Sequence, residues 1–75
     1  MRNLIAKNVK AARVSRGVTQ AAFAELCGFS QQYLSDLENG KRNPTVITLY
    51  EISRALKVEV HLLIMQHEDE SWLLS

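Results

Sequence analysis

A chain of 75 residues with 47% hydrophobic and 23% charged residues has the makeup of one small folded domain and is too apolar for a disordered polymer. Its single cysteine excludes an internal disulfide framework, no apolar run reaches the roughly eighteen residues of a membrane span, and no secretory leader is evident. A reducing, cytoplasmic setting is therefore expected. The net charge of +1 conceals a division: residues 1–58 hold all nine Lys and Arg against four acids, and residues 59–75 hold four acids and no Lys or Arg. A basic body with an acidic tail permits a phosphate-binding face without demanding one.

Apolar residues recur at helical spacing through most of the chain. Ile5, Val9 and Ala12 define a first helix from about Asn3 to Arg16, ended by Gly17. Thr19 can cap a second helix through its hydroxyl, running to about Cys27 with Phe23 and Cys27 inward, and Gly28 breaks it. Ser30 is a natural cap for a third, reaching about Asn39, with Leu34 and Leu37 inward and Gly40 at its C-terminal stop. After Asn43-Pro44, Thr45 caps a fourth helix whose inward stripe is Val46, Leu49, Ile52 and Leu56. The stretch KVEVHLLIMQ admits two readings. As a short fifth helix it turns Val60, Leu63 and Ile64 to the core and leaves Leu62 and Met65 outside. As a strand it alternates Val58, Val60, Leu62 and Ile64 with Glu59 and His61. The helix is preferred. Residues 1–66 then form the domain, with 58–66 as its dimerisation segment, and residues 67–75 form an acidic and apolar tail.

The second and third helices carry a more specific pattern. With Gln20 as the first position, a small Ala24 is fifth, Gly28 ninth, Leu34 fifteenth and Leu37 eighteenth. Two helices that cross steeply over a short turn need a small residue where they touch and a positive φ in the turn, which glycine adopts without a Cβ clash. The wet side of the third helix is also unusual. A helix that served only the core would carry Lys, Glu or Ala there, whereas this one opens on Gln31, Gln32, Tyr33 and Ser35, groups that exchange hydrogen bonds.

From about Ile5 to Leu63, some four-fifths of the chain, these residues resemble the Cro/CI-type helix-turn-helix domain, the XRE family. The likeness rests on Val9, Arg13, Gly17-Val18-Thr19-Gln20, Ala24, Gly28-Phe29-Ser30, Tyr33-Leu34-Ser35, the run from Leu37 to Pro44, and Ala55-Leu56. Lys57 departs from it, standing where that family commonly has glycine. The resemblance implies an all-α, five-helix, lambda repressor-like fold that binds DNA, usually as a homodimer. Some antitoxin members replace the fifth helix by a strand.

The resemblance and the residues together assign roles. The third helix becomes the recognition helix, with Gln31, Gln32, Tyr33 and Ser35 as base-contacting candidates. A glutamine amide donates to adenine N7 while its carbonyl accepts the N6 proton, so adenine is the expected base. Tyr33 alternatively packs its ring and offers its hydroxyl to a phosphate. Asp36 reads as a surface charge or as an acceptor for cytosine N4. Thr19, Gln20 and Ser30 at the helix starts, and Asn39, Lys41, Arg42 and Asn43 in the following loop, are the phosphate-contacting candidates. Arg13 and Glu38 match positions that form a structural ion pair in the family.

Leu62, Met65 and Trp72 have no place in the four-helix core and are expected at a dimer interface. His61 and His67 lack further ligands, so no metal is expected, and both are read as surface residues on the tail. Cys27 is read as structural. No catalytic set and no cofactor site is evident. The expected function is a DNA-binding transcriptional regulator, a repressor of a palindromic operator, with double-stranded DNA and a second copy of itself as partners. The alternative is an antitoxin-type protein that holds a toxin and autoregulates its operon.

Overall fold

A computed structural model describes residues 2–74. Five α-helices run in chain order as α1 (Arg2–Ser15), α2 (Gln20–Cys27), α3 (Gln31–Glu38), α4 (Val46–Leu56) and α5 (Val60–Ile64), followed by a 3-10 turn over Ser71–Leu74. No strand occurs among the described residues, so the segment after Lys57 takes the helical alternative. No helix among them is long and apolar enough to cross a membrane.

Three helices start as their hydroxyl residues dictate. Thr19, Ser30 and Thr45 accept from the N–H groups of Ala22, Tyr33 and Thr48 at 3.2, 3.0 and 3.1 Å. Each such cap contributes about 1 kcal/mol by satisfying a donor that the helix itself leaves open. Between α2 and α3 the chain reverses at Gly28, whose φ of 74° is the left-handed conformation that glycine adopts most cheaply. The Phe29 N–H then returns to the Ala24 carbonyl at 2.9 Å, which closes the turn. Gly40 is constrained differently. At φ 76° it is in the left-handed region that favours glycine, and a Cβ there would also push aside the exposed Asn3 amide of α1, a side chain free to move.

The core is one cluster of Ile5, Val9 and Ala12 from α1, Phe23 and Ala24 from α2, Leu34 and Leu37 from α3, Leu49, Ile52 and Leu56 from α4, and Leu63 and Leu73 beyond. Full burial of one of its Val, Leu, Ile or Phe side chains is worth about 1.5–3 kcal/mol. Phe29, Tyr33 and Cys27 are half-buried against its edge. Three inward assignments are corrected. Val46 is 80% exposed, because α4 begins one turn before its stripe of Leu49, Ile52 and Leu56 reaches the core. Val60 and Ile64 are 37% and 40% exposed, because α5 is five residues long and turns only Leu63 fully inward.

Polar side chains of α1 secure the end of the chain. Asn8, buried in α1, donates its amide to the Leu63 and Met65 carbonyls at 3.0 and 2.9 Å and thereby caps α5. Arg16 donates to the Leu56 carbonyl at 3.0 Å and the Leu73 carbonyl at 3.2 Å. The segment after Gln66 thus folds back on α1 and seats Leu73 in the core. His67, expected on the surface, is instead half-buried: it stacks on Trp72 with ring centroids 4.2 Å apart and an 8° interplanar angle. Its Nε2 lies 2.7 Å from the Leu62 carbonyl, which can only accept, so Nε2 carries the proton. The link from α4 to α5 passes through Lys57 at φ 58°, the one non-glycine with positive φ among the described residues.

Candidate nucleic-acid interface

The tight turn at Gly28 sets α3 against α2 so that Leu34 and Leu37 enter the core while the opposite side of α3 stays wet. On that side Ser30, Gln31 and Gln32 are exposed at the helix start, and Tyr33, Ser35 and Asp36 are half-buried behind them. Gln31 extends into solvent. The Ser30 oxygen is engaged by the Tyr33 N–H, and Thr19 is engaged in the same way at the start of α2, so each hydroxyl retains its hydrogen for an outside acceptor.

Asn39, Lys41, Arg42 and Asn43 are all exposed in the loop that follows. The loop folds back along α3. The Lys41 N–H bonds the Asp36 carbonyl at 2.8 Å, and the Arg42 guanidinium lies 5.3 Å from the Tyr33 ring centroid, in cation–π range. Tyr33 in turn meets Phe29 edge to face, 5.3 Å between centroids. Its ring is therefore occupied in packing, the alternative raised for it from the sequence. Asp36 is not an isolated surface charge: its Oδ1 accepts from the Gln32 amide at 2.9 Å, and Arg42 Nε stands 3.8 Å from its Oδ2.

Beneath this face lies a charged pair. Arg13 donates through Nε and Nη2 to the two Glu38 oxygens at 2.7 and 3.0 Å, and through Nη1 to the Val18 carbonyl at 2.8 Å. Gln20 adds its amide to Glu38 at 3.1 Å. Placed among the phosphate candidates from the sequence, Gln20 is half-buried with one amide hydrogen already committed. No buried side-chain nitrogen or oxygen among the described residues lacks a partner. The network ties α1, the start of α2 and the end of α3 together, and so fixes the angle at which α3 is presented.

The remaining candidates are elsewhere. Met65 is exposed, Leu62 is half-buried, and Trp72 is half-buried against His67. Cys27 sits at the end of α2, where burial, with the Glu51 carboxylate adding, pushes its thiol up to about 11. No three His, Cys, Asp or Glu side chains gather as a metal site among the described residues. Sequence reading overlooked Asn8 and Arg16, because a polar residue on a helix face gives no sign of which distant carbonyl it will meet. The Gln32–Asp36 pair had a signal, since amide and carboxylate stand four residues apart on one helix.

A packed α2 and α3 joined by a tight glycine turn in a five-helix domain, with hydrogen-bonding side chains on the outer face of the second, is the architecture of helix-turn-helix DNA-binding proteins. The chain belongs to the helix-turn-helix family HTH_3, whose model matches residues 9–63. It is 49% identical over 71 residues, 95% of this chain and 91% of the relative, to an uncharacterized HTH-type transcriptional regulator, y4dJ, of Sinorhizobium fredii. It is 33% identical over 60 residues to the immunity repressor protein of Bacillus phage phi105, covering 80% of this chain and 42% of that one. Among solved structures, the clp gene regulator ClgR from C. glutamicum superimposes with a TM-score of 0.80 at 28% identity, over 84% of this chain and 82% of that one. The protein is thus a DNA-binding transcriptional regulator of the Cro/CI type, a family of binding proteins and not of enzymes.

Proposed function

We propose that this regulator is a repressor that binds a palindromic operator in the cytoplasm as a homodimer, with α3 of each copy in the major groove. The observation that carries the reading is the exposed pair Gln31 and Gln32 on the first turn of α3, beside the cationic loop of Lys41 and Arg42. Glutamine amides match the donor and acceptor of adenine, and the loop cations supply sequence-independent attraction to phosphate. A relative named as an immunity repressor supports repression as the sense of regulation. Dimerisation is supported by Val60, Ile64 and Met65, which leave apolar surface open on and just after α5 where a second copy can cover it. A two-fold pairing there would set the recognition helices about one DNA turn, ~34 Å, apart.

The test begins with selection of bound sites from random DNA. Gln31→Ala or Gln32→Ala should each lose about 1–3 kcal/mol on the best site and relax preference at one base pair. Lys41→Ala should weaken all sequences alike and flatten the salt dependence. Sedimentation of the bound complex should give two protein chains per site. Glutamine variants that bind as tightly as the parent, or one chain per palindrome, would defeat the reading.

A further inference from the structure

We propose that Asp36 is a positioning residue for base readout, orienting the Gln32 amide and restraining Arg42; the inference rests on the placement of α3 in the groove proposed above. A carboxylate on a helix that faces DNA is at first sight a defect, because it repels phosphate. Its surroundings give it another role. Asp36 lies one turn after Gln32, its side chain is 21% exposed, and it accepts the Gln32 Nε2–H at 2.9 Å. A carboxylate only accepts, so it holds the amide with nitrogen toward Asp36 and opposes the flipped amide, whose oxygen would face the carboxylate. The second N–H and the carbonyl oxygen of Gln32 remain for a base. That donor-acceptor pair matches adenine N7 and N6. A free glutamine samples both amide orientations and several rotamers, whereas this one is arranged before DNA arrives.

The other oxygen of Asp36 faces Arg42 Nε at 3.8 Å. Arg42 also lies over Tyr33, and Tyr33 abuts Phe29 at the edge of the core. The chain of contacts from Phe29 through Tyr33, Arg42 and Asp36 to Gln32 gives the outermost reading group a footing on the domain. It also offsets part of the Arg42 charge, while the Arg42 side chain, 53% exposed, stays open to phosphate. Asp36 accordingly lowers attraction to DNA in general and raises the penalty for a wrong base.

The test uses the full chain and the site selected by the parent. Gln32→Ala first identifies the base pair that Gln32 reads. If it relaxes no position, base readout by α3 is itself wrong. Given a relaxed position, Asp36→Ala should cut discrimination at that base pair about threefold or more while binding to random DNA holds or strengthens. Asp36→Asn, which retains an accepting oxygen, should keep most of the discrimination. Circular dichroism melts confirm that both variants are folded. Full discrimination in Asp36→Ala, an equal loss at every position, or an Asp36→Asn variant as indiscriminate as Asp36→Ala would overturn the proposal.

Discussion

Removing the Arg13 guanidinium while keeping its stem, as in Arg13→Met, isolates the energetic role of the buried pair. The Glu38 carboxylate is 2% exposed and accepts from Arg13 at 2.7 and 3.0 Å and from Gln20 at 3.1 Å. After the substitution it is left with one neutral amide and almost no water. An uncompensated buried charge of this kind costs about 3–5 kcal/mol. A domain of 75 residues holds only about 4–11 kcal/mol in total, so the variant should be barely folded near body temperature. At about 4–8 °C per kcal/mol the melting point falls by roughly 12 °C or more. Glu38→Leu alone orphans the guanidinium instead, but Arg13 retains the Val18 carbonyl at 2.8 Å and should lose less. The double variant Arg13→Met with Glu38→Leu removes both charges and should recover much of the loss. Thermal and urea melts of the four proteins form the assay. Single variants that melt within a few degrees of the parent, or a double variant whose loss equals the sum of the two, would refute the reasoning.

Lys57→Gly should raise stability by about 0.5–1 kcal/mol, since it relieves the left-handed conformation of an L residue and returns only part of the gain to the unfolded chain; a urea melt with no shift would show that Lys57 is not strained. Cys27 should alkylate slowly. Its thiol is pushed from 9.0 up to about 11, so at pH 8 the folded chain offers roughly a hundredfold less thiolate than the chain in urea. The sign follows for stability too: between pH 9.0 and about 11 the unfolded chain loses this proton first, so the thiol's share of stability is present below that window and declines through it. Equal iodoacetamide rates in buffer and urea would contradict this.

Local chemistry made the first four helices legible. Hydroxyls at Thr19, Ser30 and Thr45 and glycines at 17, 28 and 40 are signals whose partners lie within a few residues, and the caps stand where the residues placed them. Periodicity failed where an element outruns the core. Val46 has the right spacing but lies before the point where α4 meets its neighbours, and Val60 and Ile64 flank the buried edge of a helix too short to seat them. On the wet face of α3, the exposure of Gln31 and Gln32 followed from the inward direction of Leu34. The bond from Gln32 to Asp36 was implicit in their spacing of four on one helix, whereas the fold-back of Arg42 was not legible, because it depends on the path of the loop after Gly40. Asn8 and Arg16 were beyond sequence reading altogether, since their acceptors are main-chain carbonyls more than forty residues away or close to it, and carbonyls carry no side-chain signature.

Those long reaches order the events of synthesis. Asn8 leaves the ribosome 55 and 57 residues before its acceptors at Leu63 and Met65, and Arg16 leaves it 57 residues before Leu73. The helix pair that presents Gln31 and Gln32 is made early, but the α1 surface it leans on stays incomplete until the tail arrives. A nascent or interrupted chain that stops before Leu63 keeps a buried amide with no acceptor and an open trough where Leu63 and Leu73 belong. A fully satisfied core therefore requires the chain through Leu73. A chain cut short of Leu63 that still carries α3 is expected to be less stable and more open to proteases than the whole domain.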